Sequence, residues 1–158
     1  MNLVIYLFII VTTFLLMEVV AWAVHKYVMH GLLWFLHSDH HVKEAGFFEK
    51  NDAFFLVFAI PSWLFIMLGM IYQQYAVVAI GFGIALYGIA YFFVHDIFIH
   101  QRFKWFRKTD NLYFRAIRNA HRTHHKHLGK EDGECFGMLY VSKKYLKTAR
   151  QISKSTKK

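Results

Sequence analysis

The stretch from His25 to His41, HKYVMHGLLWFLHSDHH, decides how this chain reads, because its histidine pattern occurs twice. The first copy is His25-x4-His30 followed by His37-x2-His40-His41. The second is His95-x4-His100 followed by His121-x2-His124-His125. Together the two copies use ten of the eleven histidines. Neutral imidazole is a common ligand of first-row transition metals. Residues i, i+3 and i+4 share a helix face, so each His-x2-His-His run is expected to aim three nitrogens at one point. The His-x4-His pairs are harder to place, since five residues turn an α-helix by about 140°. They need a helix end or a local distortion between the two histidines, and Gly31 is placed to end a helix. A lone histidine is usually a hydrogen-bonded structural residue, but tandem recurrence of one pattern argues for a metal site.

The apolar residues around these copies are unevenly spread. Of the 158 residues 56% are apolar, and they concentrate in runs at about 2–24, 53–72 and 76–94. Each run is near the roughly 20 residues that cross a bilayer as a helix. The chain therefore reads as all-α, a polytopic membrane helical bundle with a cytoplasmic histidine-rich helical cap. It forms a single integral-membrane domain over 1–158 with a basic tail at 142–158. The short apolar piece Cys135 to Val141 leaves room for a re-entrant or fourth segment. The first run reads as an anchor and not a cleaved leader, because no basic residue precedes it and it is long for a leader core.

All nineteen Lys and Arg residues lie in Lys26 to Lys50 or Arg102 to Lys158. Basic loops stay in the cytoplasm. Three spans then put the N-terminus and the Gln73-Gln74-Tyr75 turn outside, and both histidine copies at the cytoplasmic face, where they can share one site. Topology also accounts for the net charge of +9 without nucleic-acid binding. The single cysteine, Cys135, allows no internal disulfide and reads as a small apolar residue.

Three carboxylates are candidates to support the histidines. Glu18 lies in the first apolar run, seven residues before His25 and on the same helix face, so it either bonds toward the metal site or is satisfied inside the bundle. Asp39 and Asp96 stand beside histidines and could take the second imidazole N–H. Asn51 or Asp52 reads as the cap of the second apolar helix. Pro61, the only proline, lies in the middle of that run and is expected to kink the helix, either opening a lateral cavity or being tolerated there as in other membrane helices. Gly81, Ala85 and Gly88 form a small-residue stripe in the third run, suited to close packing or to a slender ligand. Asp110 or Asn111 starts a helix expected to reach about Leu128. On it Ile117, His121, His124 and His125 share one stripe, and Arg115, Arg118, Arg122 and Lys126 another. Residues 153–158 read as disordered, and His127 as a bystander.

Ten imidazoles exceed one ion's capacity, and two ions would use most of them. A hydrolytic zinc site would use fewer histidines and a carboxylate base. A histidine-rich pair of iron ions at a membrane edge suits O₂ activation and attack on an unactivated C–H bond of an apolar substrate. The chain resembles the membrane-bound di-iron hydroxylase and desaturase superfamily, and within it the short bacterial β-carotene hydroxylases. The resemblance rests on the four histidine boxes, on Phe48-Glu49-Lys50-Asn51-Asp52, His95-Asp96, His100-Gln101-Arg102 and Phe136-Gly137-Met138-Leu139-Tyr140. It implies that His25, His30, His37, His40, His41, His95, His100, His121, His124 and His125 hold two non-haem irons, with no catalytic residue apart from them. It also implies that O₂ and two external electrons per turn place a hydroxyl at carbon 3 of each β-ionone ring of a carotenoid drawn from the lipid phase. No flavin or nucleotide fingerprint is visible, so a separate donor such as a ferredoxin would supply the electrons. A fatty-acid or sterol hydroxylase or desaturase of the same superfamily stands as the enzymatic alternative. A metal transporter or haem carrier is the non-enzymatic one, although a transporter would place ligands near mid-membrane and haem needs two axial ligands.

Overall fold

The computed structural model describes residues 2–42, 46–103, 105, 109–129, 131 and 133–155. Among these it is helical with no strand. Helix α1, Leu3–Ala23, is capped by the Asn2 side chain, which accepts from the Val4 N–H. It runs without interruption into a π-helical segment, Val24–Leu32, and then α2, Trp34–His41. A 3₁₀ turn, Lys50–Phe54, leads into α3, Phe55–Ile71. A turn with Gln73 at positive φ reverses the chain into α4, Tyr75–Tyr91, which continues as a second π-helical segment, Phe92–Ile99. Two amphipathic helices follow, α5 at Leu112–His124 and α6 at Lys143–Ser155.

Among the described residues, three helical stretches are long and apolar enough to cross a membrane: Leu3–Leu32, broken near its end at Gly31, Lys50–Ile71 and Tyr75–Ile99. The first and third outlast the apolar runs that mark them in the sequence, because the π-helical segments carry the first helix past His30 and the third up to His100. At 30 residues the first stretch exceeds the roughly 20 that a bilayer core requires, so its histidine end can project past the apolar region. Apolar side chains such as Leu3, Phe8 and Leu15 remain more than 60% exposed, a surface that suits lipid. The piece 133–142 is irregular, and no fourth apolar helix of spanning length occurs among the described residues.

Helix α4 is central. It packs antiparallel on α3, where a Cβ at Gly81 would lie 2.6 Å from Ile66 Cγ1. It packs parallel to α1 through Met17, Ala21, Ile84 and Tyr87. Helices α1 and α3 flank α4 without packing on each other. The small-residue stripe thus divides: Gly81 is a close contact, whereas a Cβ at Gly88 would meet nothing within 4 Å. Helix α5 is capped by Asn111, whose side chain accepts from the Tyr113 and Phe114 N–H groups. It ends at His124, short of the expected Leu128, and the turn after it lets His125 and Leu128 serve the histidine site. Residues 143–155 form a helix where the sequence suggested a polar tail. Tyr145 and Ala149 bury against Ala116 and Ala120 of α5, and this tertiary contact stabilises a segment with little apolar content of its own. Residues 156–158 lie outside the described residues.

Candidate metal centre

His25 and His30 lie on the first π-helical segment, and His95 lies on the second with His100 as the residue that caps its C-terminal end. The i→i+5 hydrogen bonds are present: Leu33 N–H donates to Val28 O at 2.8 Å and His100 N–H to His95 O at 2.9 Å. This widened turn brings residue i+5 back over residue i, which an α-helix does not do. The ring centroids are accordingly 5.1 Å apart for His25 and His30, and 4.6 Å for His95 and His100. Gly31, with φ −126° and ψ −107°, breaks the helical path after His30 and redirects the chain into α2.

The ten histidines gather into two adjoining groups. His25, His30, His37, His41 and His124 bring one ring nitrogen each within 4.8 Å of one another, and His40, His95, His100 and His121 do the same. His125 joins the second group, its Nε2 lying 2.8 Å from Nε2 of His121. Neither His-x2-His-His run points at one centre, as the sequence suggested. Each run sends two histidines to one group and its middle histidine, His40 or His124, to the other. The two runs lie side by side, His41 stacking on His125 at 4.4 Å, so the middle rings reach across more readily than they turn back. His127 and Cys135 belong to neither group.

Oxygen acceptors set the tautomers. Nδ1–H donates to Phe136 O from His25 (2.9 Å), to Leu128 O from His30 (2.9 Å), to Asn51 Oδ1 from His37 (2.7 Å) and to Glu134 O from His124 (3.1 Å). His40 donates to Glu49 Oε2 at 2.9 Å, and His95 reaches Asp96 Oδ2 at 3.4 Å. Carbonyl oxygens only accept, so the proton sits on Nδ1 and the Nε2 lone pair faces inward. Asp96 thus faces an imidazole. Asp39 does not: its Oδ2 accepts the Lys50 N–H and touches no imidazole. Asn51 and Glu49 hold roles that sequence reasoning missed. Asn51 is buried against His37 and does not cap the helix. Arg102 ties the acidic side chains together, pairing with Asp52 at 2.8 Å and Asp96 at 3.2 Å, with Glu49 at 3.7 Å.

This donor set fits metal ions. Nε2 of His40 and of His95 are buried with no hydrogen-bond partner among the described residues. An unpaired buried nitrogen is costly unless something else takes its lone pair. Burial pushes His37 down to about 3, His41 and His124 to about 2 and His125 to about 4. The same cause holds His40, His100 and His121 well below the ordinary histidine value. The rings are then neutral near pH 7, the state in which imidazole binds a metal.

A cavity of about 320 Å³ adjoins the first group, in the space that α1 and α3 leave beside α4. Its walls are mainly apolar, among them Phe54, Phe55, Phe58, Gly88 and Phe92, and His25, Asn51 and Asp96 stand at its polar end. Tyr91 lines the cavity and lies 4.8 Å from the His95 ring.

The sequence model of the family described as fatty acid hydroxylase matches residues 10–144. A protein of Pantoea ananas named beta-carotene hydroxylase is 42% identical over 133 residues, 84% of this chain and 75% of that one. One of the same name from Paracoccus sp. (strain PC1) is 37% identical over 134 residues, 84% of this chain and 82% of that one. A chloroplastic beta-carotene 3-hydroxylase of Gentiana lutea is 35% identical over 121 residues, 75% of this chain and 37% of that one. No solved structure matches the chain. A match over most of its length, carrying all ten paired histidines, means that the chain belongs to the fatty acid hydroxylase family.

Proposed function

We propose that this chain is an O₂-dependent di-iron carotenoid hydroxylase, adding a hydroxyl at carbon 3 of β-ionone rings and converting β-carotene to zeaxanthin through cryptoxanthin. The observation that carries the reading is the pair of imidazole groups beside an apolar cavity between membrane helices. The names of the relatives support the substrate. Two irons held by these imidazoles would supply the activation of O₂ that attack on an aliphatic C–H bond requires. The balance is one C–H, one O₂, two electrons and two protons in, and one C–OH and one water out.

The chain's own residues bind and orient. The cavity accepts an apolar ring from the lipid side, and its Phe walls exclude water from the reacting carbon. Asn51, Glu49 and Asp96 hold His37, His40 and His95 by their Nδ1 protons. The distribution of Lys and Arg argues for a cytoplasmic histidine site with the N-terminus and the 73–75 turn outside. Electrons would come from an external donor. Of the basic stripe, Arg122 on α5 and Lys126 in the turn after it are exposed, whereas Arg118 donates to Phe98 O at 2.8 Å and stacks on the Phe98 ring, so a docking surface would centre on the first two.

The test is expression of the chain in cells that make β-carotene, followed by pigment extraction. Cryptoxanthin and zeaxanthin are the expected products. Unchanged β-carotene with newly hydroxylated fatty acids or sterols would move the chain to another branch of its family.

A further inference from the structure

Glu18 is the one ionisable side chain in the α1 sequence Leu3–Ala23 apart from Tyr6, and it has an unusual set of partners. Its Oε1 accepts from the backbone N–H groups of Met138 (2.8 Å), Leu139 (2.8 Å) and Tyr140 (2.9 Å). Its Oε2 accepts from the Tyr87 hydroxyl at 2.8 Å. Four donors thus converge on one carboxylate, more than a carboxyl needs to be tolerated in a helix bundle. The approach is tight: a Cβ at Gly137 would lie 2.7 Å from Glu18 Oε1.

The loop held in this way serves the histidines. Phe136 O accepts the His25 Nδ1–H at 2.9 Å, and Glu134 O accepts that of His124 at 3.1 Å. The Phe136 ring stands 5.5, 5.2 and 5.1 Å from the rings of His25, His30 and His124. At the far end of the loop the Glu134 carboxylate accepts from the Tyr145 hydroxyl at 2.7 Å and pairs with Lys144. Every histidine that this loop touches by hydrogen bond belongs to the first group. In the second group, His40 and His95 are oriented by Glu49 and Asp96, which are outside it.

We propose that Glu18 is a positioning residue for the first histidine group alone: by seating Met138 to Tyr140 it fixes the Phe136 carbonyl, and through it the inward lone pair of His25. The inference rests on reading the two groups as metal sites. Ligand orientation from outside the coordination sphere matters for affinity, with losses of about 10- to 100-fold on removal. A Gln at position 18 keeps the size but weakens the charge-assisted bonds and adds N–H donors to a nest of donors.

The experiment uses the full chain in lipid nanodiscs, stripped of metal and titrated with Co²⁺ while its visible ligand-field absorption is followed. The unsubstituted chain is expected to take two ions. Glu18→Gln should weaken one of the two by about 10- to 100-fold and leave the other unchanged. Gly137→Ala, which pushes the loop while keeping the carboxylate, should reproduce that asymmetry and carries the test if Glu18→Gln does not assemble. Two unchanged sites in both variants would overturn the proposal, as would equal weakening of both sites, the signature of a purely structural role. Failure of the unsubstituted chain to bind two ions would instead overturn the metal reading itself.

Discussion

His40 and His124 occupy the same place in the two copies of the histidine pattern, and each stands in the group built mainly from the other copy. The exchange ties the two groups into one unit. His124 Nε2 lies 3.2 Å from His30 Nε2, and the His40 ring is 4.2 Å from that of His100. Neither half of the chain completes a group alone.

The exchange predicts crossed effects of substitution. His124→Ala should weaken metal binding at the group that holds His25, and His40→Ala at the group that holds His95. Both should abolish hydroxylation, whereas His127→Ala should leave most of it. Metal content per chain and product yield, measured on the same preparations, check this. Loss of the group from its own copy in each variant would contradict the geometry.

Asn51 provides a second prediction. Asn51→Ala removes the acceptor of the His37 Nδ1–H and leaves that buried donor unpaired, at a cost of about 1–3 kcal/mol. Metal affinity should fall by about 10- to 100-fold, while Asn51→Asp, which keeps an accepting oxygen, should retain much of it. Cobalt titration of the two variants distinguishes loss of the acceptor from loss of the site.

Two glycines of α4 should respond in opposite ways. At Gly81 a new methyl meets Ile66 Cγ1 at 2.6 Å and the Ser62 carbonyl at 2.9 Å, so Gly81→Ala should cost about 1–3 kcal/mol and lower the melting temperature. At Gly88 the space is open and belongs to the cavity. Gly88→Leu should leave melting and metal content near normal but reduce conversion of β-carotene by narrowing the space for the ring. A melting curve and a pigment extract on each variant test the pair.

Acidification should destabilise the metal-free chain. The unfolded histidines take up protons near 6.5, whereas His125, His37, His41 and His124 do so in the folded chain only at about 4, 3, 2 and 2. The unfolded state therefore binds more protons as pH falls below 6.5, and stability present above that value is lost progressively from there down toward 2. Each such histidine contributes a slope of about 1.4 kcal/mol per pH unit inside its window. Melting temperatures of metal-free protein at pH 7.5, 6 and 5 should fall in that order. A flat profile would mean that the imidazoles titrate in the fold as they do in the unfolded chain.

The sequence alone determined the helical class, the three apolar spans and the identity of the ten paired histidines. These follow from local properties: run length against bilayer thickness, and ligand type repeated at fixed spacing. It also made a distortion necessary within each His-x4-His pair, since an α-helix separates residues five apart. Only the tertiary structure decided how the histidines divide. Which nitrogen faces which centre depends on how two distant helices cross, and His40 and His124 change sides for that reason. The acceptors behind the imidazoles were equally hidden, because three of them are the backbone carbonyls of Leu128, Glu134 and Phe136, which any residue type offers. Helix α6 escaped for a related reason. Tyr145 and Ala149 stand one helical turn apart, but with so few apolar residues around them only their packing on α5 shows that the segment folds as a helix.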